Sequence, residues 1–386
     1  MTLLALPSVA ILTLGAKPYQ VGLLEAAQFL AFPLLGLPAG VWVDRLSRKA
    51  VMIVADVGRA AALAYIPIAW ALHVLMLWQL YLIALFFGIL TVFFEVAYQS
   101  YLPSLIERQD LTEGNAKLEI SRSAAQIAGN GLGGVLVQRL GAPMAMLVDA
   151  ISFLASVAGL ISIRAKETVA RPAAQSQGFW AELRDGAGVV FGSPILRNIA
   201  GCTATSNLGG SMLGAVYLIF AYRSLHLSPA VVGGILAFGD FGIFGAFFSA
   251  QIAQKFGLGK TLAAAAVLGG LGTLLAAIAA FRSPLLLLFG SQLILSFSIP
   301  LYNVNQVSLR QAIVPGALQG RMNATMRTIV WGTMPIGAAI GGALGSTIGV
   351  LPTIIIGGII AVSSVLWIRF SEVYDLVNLP ALQNQT

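Results

Sequence analysis

The residues of this chain that can carry out chemistry are a few ionisable side chains inside long apolar stretches. Asp240 and Glu95 each interrupt such a stretch, and Arg122 interrupts a third. An ionisable group in an apolar environment is costly, which makes each one a candidate functional residue. A carboxylate in this setting can take up and release a proton. Asp240, Glu95 and Arg122 are therefore candidates for proton coupling, and a carboxylate hydrogen-bonded for structural reasons is the alternative.

The composition indicates a membrane protein with several spans. Of the 386 residues, 58% are hydrophobic and only 10% are charged, whereas a soluble domain has about 25% charged residues. The single cysteine, Cys202, excludes an intramolecular disulfide. His73 and His226 lie far apart in the sequence, so we expect no cluster of metal ligands, and no cofactor is predicted.

Twelve apolar segments are candidate transmembrane helices, which need about 20 residues each. The first, residues 1–15, is short, and we expect a first span that lacks its N-terminal part. A cleaved signal peptide is the alternative, although the segment has no basic n-region and no Ala-x-Ala site. Spans 2 to 12 are predicted at residues 20–43, 51–72, 77–99, 118–139, 142–163, 195–222, 229–253, 260–281, 284–307, 319–345 and 347–369.

The distribution of Lys and Arg predicts the orientation of these spans. Of the 22 basic residues, fifteen lie on the side of loop 44–50, four lie on the other side and three lie within spans. Cytoplasmic loops are enriched in Lys and Arg, so loop 44–50 and both termini are predicted to be cytoplasmic. The net charge of +7 is then a consequence of topology, and no nucleic-acid partner is predicted.

This orientation gives each ionisable residue a depth in the membrane. Asp56, Arg59, Glu95 and Arg122 are expected near the cytoplasmic ends of spans 3, 4 and 5. Glu25 and Asp149 are expected in the outer portions of spans 2 and 6. Asp240 is expected nearest the middle, about 16 Å into span 8 at the rise of an α-helix.

The longest polar stretch divides the spans six and six. We predict an N-terminal half at residues 1–163, a linker at 164–194, a C-terminal half at 195–370 and a tail at 371–386. Within the linker, residues 179–191 are predicted to form a short amphipathic helix along the inner membrane face, or an ordinary linker helix.

An internal repeat supports this division. A shift of 208 residues superimposes Gly129 on Gly337 and Gly134 on Gly342, so span 5 matches span 11 over a whole helix. Two six-helix halves repeated in parallel are a known architecture of secondary transporters.

The most distinctive motif lies between spans 2 and 3. Its spacing, Gly-x3-Asp-Arg-x2-Arg-Lys, resembles the loop between helices 2 and 3 of major facilitator superfamily transporters. The resemblance implies an all-α fold of two six-helix halves, and a loop that latches the halves together on the inner side. The alternative is that its cations only anchor the loop at the cytoplasmic surface. The motif residues are Gly40, Asp44, Arg45, Arg48 and Lys49.

Span 5 carries a second motif, at residues 129–134. Gly129, Gly133 and Gly134 match the Gly-Pro-x-x-Gly-Gly signature of antiporters in the superfamily, whereas Asn130 stands in place of the proline. The segment also fits Gly-x-Gly-x-x-Gly, but a dinucleotide site requires a preceding strand, so we reject that interpretation. Close packing through small residues is the alternative.

The chain is similar to bacterial drug and siderophore exporters, including macrolide-efflux-like and enterobactin-exporter-like proteins. Three segments carry this similarity, at residues 36–49, 98–106 and 113–134. This resemblance implies a monomeric proton antiporter of a bacterial inner membrane, embedded in membrane lipids, that exports small organic molecules by alternating access. An aromatic and amide cavity lining would suit amphipathic or apolar molecules. The cavity candidates are Phe94, Tyr98, Asn207, Tyr302, Asn303 and Asn305.

Two other functions remain open at this point. The chain could be a lipid or lysolipid flippase, or a non-transporting membrane sensor or accessory protein. An enzyme is not expected, because no nucleophile, base and metal set converges in the sequence. The sequence contains no Gly-x4-Gly-Lys-Ser/Thr segment, which is the motif that would indicate an ATP site.

Overall fold

The computed structural model describes residues 1–43, 46–102, 105, 111–164 and 179–380, and every regular element in these ranges is helical. Asp44 and Arg45 of the predicted loop lie outside the described residues. The helices are α1 (Thr2–Ser8, continued by a π-helical turn at Val9–Thr13), α2 (Pro18–Val43), α3 (Arg48–Ala71), α4 (Leu77–Tyr101), α5 (Leu111–Leu140), α6 (Ala142–Ser162), α7 (Phe179–Gly192), α8 (Pro194–Ile219, continued at Phe220–Ser224), α9 (Pro229–Gly239), α10 (Phe244–Phe256), α11 (Leu258–Ile278), α12 (Pro284–Ile313), α13 (Gly316–Thr347), α14 (Val350–Ser363) and α15 (Val365–Arg369).

Every predicted span coincides with a helix or with a pair of consecutive helices. Spans 1 to 6 are α1 to α6, span 7 is α8, span 8 is α9 with α10, spans 9 to 11 are α11 to α13, and span 12 is α14 with α15. In the described part of the chain, eight helices have the length and composition of a membrane span, or nine if α9 and α10 count as one bent span. The molecule is therefore a multi-pass membrane protein.

The bundle has two halves and two ends. We call α1–α6 the N-terminal half and α8–α15 the C-terminal half. The basic end is the end at which α3 begins, with Arg48 and Lys49, and the opposite end is the end at which α2 begins, at Pro18.

The short helix α1 lies inside the bundle toward the opposite end. Leu4 is almost completely buried. Ser8 Oγ lies 2.9 Å from the hydroxyl of Tyr222, and Arg223 donates a hydrogen bond of 3.1 Å to the carbonyl of Ile11. Because Tyr222 and Arg223 belong to the continuation of α8, α1 joins the two halves at this end.

Span 8, predicted at residues 229–253, is formed by two helices with a break between them. A 3₁₀ turn at Asp240–Ile243 separates α9 from α10, whose axes differ by 41°. The break lies where the chain passes closest to α12. A Cβ atom at Gly239 would lie 1.9 Å from Gln292 Cγ, and one at Gly245 would lie 2.2 Å from the carbonyl oxygen of Phe297. The bend thus keeps both segments in direct contact with α12, through glycines that leave room for it.

The halves meet through two antiparallel helix pairs, α2 with α13 and α5 with α9. In each pair a glycine of one half packs against a glycine of the other. A Cβ atom at Gly22 would lie 2.7 Å from Gly342 Cα, and one at Gly233 would lie 2.8 Å from Gly134 Cα. Any side chain at these positions would overlap the partner helix, so the two backbones are in direct contact. Both contacts lie near the opposite end.

Toward the basic end the halves separate. In α5, six of the seven residues at 119–125 are exposed. Since an α-helix turns once every 3.6 residues, these two turns are exposed around most of the helix axis. α5 therefore packs on the C-terminal half only in its part nearer the opposite end, and a cleft opens between the halves at the basic end.

The predicted linker helix is present as α7, and it packs on protein. Val190 is completely buried in a cluster with Met326 of α13. Arg321 donates a hydrogen bond of 2.8 Å to Asp185, and a Cβ atom at Gly186 would lie 2.4 Å from the carbonyl oxygen of Arg321. The buried face of α7 is thus covered by α13, which agrees with the linker-helix interpretation.

Neighbouring glycines of α9 provide a test of the contact between the halves. Gly233→Ala would place a methyl group 2.6 Å from the carbonyl oxygen of Asn130, and we expect this overlap to destabilise the protein by about 1–3 kcal/mol. The measurement is the temperature at which a thiol-reactive dye labels Cys202, which is the only cysteine and is buried.

The matched control is Gly234→Ala, because a Cβ atom at Gly234 would meet nothing within 4 Å. This variant should label at the same temperature as the unmodified chain, or at a slightly higher one. Equal labelling temperatures for the two variants would contradict a packed interface at Gly233.

Candidate functional site

A cavity of about 320 Å³ lies among the helices of the C-terminal half and against α2. Its walls are formed by α8, α11 and α12, with single residues from α2, α13 and α14. Most of the lining is apolar or carries small hydroxyl groups. The lining residues are Glu25, Cys202, Thr203, Ser206, Asn207, Gly210, Ser211, Leu213, Ala265, Ala266, Gly269, Thr273, Leu295, Ser298, Ile299, Tyr302, Asn303, Met334 and Ala361.

Three of the six predicted cavity residues line this space. They are Asn207, Tyr302 and Asn303. The Asn207 amide donates a hydrogen bond of 3.1 Å to the carbonyl of Val330 in α13. The Tyr302 hydroxyl lies 3.0 Å from Thr203 Oγ1, so this tyrosine presents its ring to the cavity while its hydroxyl is satisfied by α8.

The other three predicted cavity residues lie elsewhere. Asn305 is buried and donates a hydrogen bond of 2.8 Å to the carbonyl of Leu301, one turn earlier in α12. Phe94 and Tyr98 lie in α4 of the N-terminal half, where their rings stack with centroids 6.0 Å apart. Asn305 shares α12 with Tyr302 and Asn303, and packing turns its side chain away from the cavity, whereas α4 contributes no residue to the described lining.

Glu25 lines the cavity although sequence analysis places it only in the outer portion of span 2. It is the one acidic residue among the lining residues. The carboxylate reaches α8, since a Cβ atom at Gly214 would lie 2.7 Å from Glu25 Oε1. The only available sequence signal was its ionisable side chain in an apolar span, because no spacing relates Glu25 to α8.

Asp240 connects the two halves. The amide of Gln126 donates to Asp240 Oδ1 over 2.9 Å, and the amide of Asn130 donates to Oδ2 over 2.8 Å. Both donors belong to α5, and Asp240 begins the turn that breaks span 8. Two amide hydrogen bonds to one carboxylate thus hold α5 against the turn between α9 and α10.

The bridge brings together two residues that sequence analysis singles out separately, Asp240 and Asn130. Asn130 stands where the antiporter signature has a proline, and the side chain that it brings is the one that binds Asp240. Gln126 was missed. The signal that could have found it is its position four residues before Asn130, which places both amides on one face of α5.

The glycines of the span 5 motif face two different partners. A Cβ atom at Gly129 would lie 3.4 Å from the backbone nitrogen of Met1, and one at Gly133 would lie 3.1 Å from Met1 Cγ. Gly134 faces Gly233 in the other half. Small residues in this motif therefore permit close packing of α5 on α1 and on α9 at the same time.

A second ionic group lies within the N-terminal half. Arg59 forms an ion pair with Asp56, and its guanidinium carbon lies 4.2 Å from the ring centroid of Phe94 and 4.7 Å from that of Phe153. Glu95 interacts electrostatically with Arg59 and also with Arg327 of α13. Glu95 thus interacts with a basic side chain of each half.

The expected depth of this group requires a correction. Arg59 is the twelfth of the 24 residues of α3, midway along the helix, and it is buried together with Asp56. Arg59 therefore lies further from the start of its helix than the sequence analysis expects, and the three additional residues at the start of α3 account for part of this difference. Arg122, by contrast, lies on the exposed part of α5, away from the buried pair.

The described part of the loop motif contacts its own half. Lys49 donates hydrogen bonds to the carbonyls of Ile161 and Ile163, at 3.2 Å and 2.6 Å. These carbonyls end α6, so Lys49 satisfies and neutralises the C-terminal end of that helix. Ser47 caps α3 by accepting a hydrogen bond of 3.3 Å from the backbone of Ala50. A Cβ atom at Gly40 would meet nothing within 4 Å.

Removing either side of the Asp240 bridge should reveal its strength. Asn130→Ala and Asp240→Ala should each lower the Cys202 labelling temperature, and the double variant should lower it by less than the sum. A hydrogen bond to a charged group contributes about 1.5–3 kcal/mol, so the coupling should be of that order. Leu132→Ala, on an exposed position of α5, is the control. Additive effects would show that the bridge does not couple the halves.

Comparisons with known proteins agree with this architecture. A family model described as transmembrane secretion effector matches residues 8–381. The multidrug efflux pump Tap of Mycobacterium tuberculosis is 25% identical over 349 residues, which cover 86% of this chain and 80% of Tap. The pump of the same name in Mycolicibacterium fortuitum is 26% identical over 330 residues, covering 82% and 78% of the two chains.

Solved structures share the fold at low sequence identity. The nucleoside transporter NupG superimposes with a TM-score of 0.75 at 15% identity, covering 95% of this chain and 94% of NupG. A bacterial homologue of the iron transporter ferroportin, in an inward-facing state, superimposes with a TM-score of 0.74 at 17% identity, covering 95% and 94%. The chain therefore belongs to the transmembrane secretion effector family of the major facilitator superfamily and is a multi-pass membrane transporter with the fold of that superfamily.

Proposed function

We propose that this protein is a secondary active exporter of small organic molecules that works by alternating access. The observation that carries the proposal is the uneven contact between the halves. They are packed backbone to backbone at the opposite end, through Gly22 with Gly342 and Gly134 with Gly233, and they separate at the basic end. In the proposed cycle the contact moves from one end to the other, and the cavity is exposed to each side in turn.

The cavity supports a substrate that is largely apolar. Its small hydroxyl groups mostly bind their own helices, as Thr203 does with the carbonyl of Ile199 and Thr273 does with that of Gly269. The lining therefore offers a substrate mainly hydrocarbon and ring surface, with a few polar groups such as Asn303. Relatives named multidrug efflux pumps add support for the export of such molecules.

Asp240 is our candidate for coupling transport to protons. Its two amide partners would bind an ionised carboxylate more strongly than a neutral one, so protonation would weaken the link between α5 and the turn that follows α9. Proton entry would then favour separation of the halves where they are closed. Glu95 remains the second candidate, because it interacts electrostatically with Arg59 of one half and Arg327 of the other. Arg122 would stabilise negative charge near Tyr98 and Glu95 on the cleft side.

The moving parts in this proposal are the two halves. Residues 1–163 and 195–370 would rotate as units, joined by the linker 164–194, with the tail 371–386 carried by the C-terminal half. The backbone nitrogens of Leu258 and Gly259 donate hydrogen bonds to the carbonyls of Val377 and Leu376, which supports attachment of the tail to that half. In this proposal the basic end faces the cytoplasm in a bacterial inner membrane. The loop with Asp44 would hold the two halves together on that side when the cleft closes.

The test is efflux of a fluorescent dye from bacterial cells that express the chain, with and without a protonophore. We expect efflux that collapses when the protonophore is added. Asp240→Asn should abolish the protonophore-sensitive component, because asparagine cannot carry the proton, and Glu95→Gln should reduce it if Glu95 participates. Export that continues in the presence of the protonophore would contradict proton antiport.

Two controls make the result specific. The Cys202 labelling temperature must show that each variant is folded and present at a normal level. Asp185→Asn removes a surface carboxylate of α7 that pairs with Arg321 at 2.8 Å, and efflux by this variant should match the unmodified chain. A similar loss in Asp185→Asn and Asp240→Asn would indicate a general effect of charge removal and would contradict a coupling role for Asp240.

A further inference from the structure

We propose that Glu25 is a cation-binding residue of the cavity, and that the ligands of this site are organic cations with a large apolar part. As a statement about transported substrates, this inference rests on the proposed export function. As a statement about binding, it stands on the cavity alone. Glu25 is not among the cavity residues that the sequence predicts.

The first observation is the isolation of the Glu25 carboxylate. It forms no hydrogen bond or ion pair with any residue in the described ranges, and no charged side chain among them acts on it electrostatically. Asp240 and Asp149 differ in this respect. Asp240 is held by two amides, and Asp149 accepts a hydrogen bond of 2.5 Å from the hydroxyl of Thr2. Glu25 is thus a membrane carboxylate whose partner is not supplied by the described protein.

The second observation is where this carboxylate lies. Glu25 is carried by α2 of the N-terminal half, but it lines a cavity whose other residues come from the C-terminal half. Gly214 of α8 makes this crossing possible, because a Cβ atom there would lie 2.7 Å from Oε1 and 3.4 Å from Oε2. The space that an ordinary side chain would occupy at Gly214 is the space that admits the acid.

The chemistry of the ligand follows from this arrangement. When the Glu25 carboxylate is ionised, it requires a counter-charge in this low-dielectric site, and the described residues that line the cavity include no basic one. The remaining wall is formed by groups such as the ring of Tyr302, Leu295 and Met334. A ligand that suits both the carboxylate and the apolar wall has a single positive charge and an apolar body. Inorganic cations fit less well, because one carboxylate among apolar groups does not provide the several oxygen ligands that they need.

A bound cation would also join the halves. Its charge would be held by α2, and its apolar body would be held by α8, α11 and α12. Rotation of the halves would then change the distance between the carboxylate and the apolar wall. Affinity would differ between the states open to each side, which is the property that a transported ligand needs.

The test is equilibrium binding of tetraphenylphosphonium, an apolar monovalent cation, to the purified full-length chain. We expect saturable binding that is weakened at least tenfold in Glu25→Gln, which keeps the size of the side chain and removes its charge. Gly214→Ala should also weaken binding, because its methyl group displaces the carboxylate. Its Cys202 labelling temperature should be unchanged, since the flexible end of a side chain can move aside.

Asp149→Asn is the matched control, because it removes a membrane carboxylate that does not line the cavity, and it should bind the cation normally. Unchanged binding in Glu25→Gln would overturn the inference. So would equal weakening in Asp149→Asn, or an absence of tetraphenylphosphonium binding to the unmodified chain.

Efflux of a neutral dye, Nile red, separates this inference from the proposed function. Protonophore-sensitive Nile red efflux without any cation binding would support export and overturn the role of Glu25. Glu25-dependent cation binding without efflux of Nile red or of ethidium, a cationic dye, would support the binding site and contradict export. If both hold, Glu25→Gln should lower ethidium efflux at least tenfold and change Nile red efflux by less than twofold.

Discussion

Two contacts between glycines determine how the halves of this protein meet, Gly22 with Gly342 and Gly134 with Gly233. At both places the backbones of helices from different halves are too close for any side chain. In a bilayer, where lipid tails are as apolar as leucine, close packing of this kind is a main source of attraction between helices. Because both contacts lie near the opposite end, the closed end of the transporter and the open cleft at the basic end follow from the same constraint.

The carboxylates near this interface have different environments, and the environments indicate different roles. Asp240 receives two amide hydrogen bonds from α5 and holds the halves together. Glu25 has no partner in the described protein and faces the cavity. Asp149 is bound to Thr2 within its own half. An acid that is already satisfied can act as a structural link or a proton switch, whereas an unsatisfied acid beside a cavity can bind a ligand of opposite charge. The three residues have the same chemistry and differ only in what surrounds them.

Much of the fold could be read from the apolar segments and from the repeat. Each predicted span is a helix or a helix pair, and the glycines that the repeat superimposes, Gly134 and Gly342, are used in equivalent contacts. The break in span 8 could not be predicted, because it depends on the approach of Gly239 and Gly245 to α12. The position of Arg59 along α3 depends on where that helix begins. Helix boundaries depend on capping contacts, such as the one that Ser47 makes with Ala50, as well as on hydrophobicity.

The sequence by itself determined the class of the protein, since a chain with 10% charged residues and twelve apolar segments can bury its surface only in a membrane. It also determined the family resemblance, because the motif spacings can be recognised without knowledge of the contacts between helices. The tertiary structure alone decided which polar residues meet. Asn130 and Asp240 lie 110 positions apart, and Glu25 reaches a cavity built almost entirely by the other half. Local periodicity places a residue on a face of its own helix, but the partner of that face is chosen by packing between distant helices.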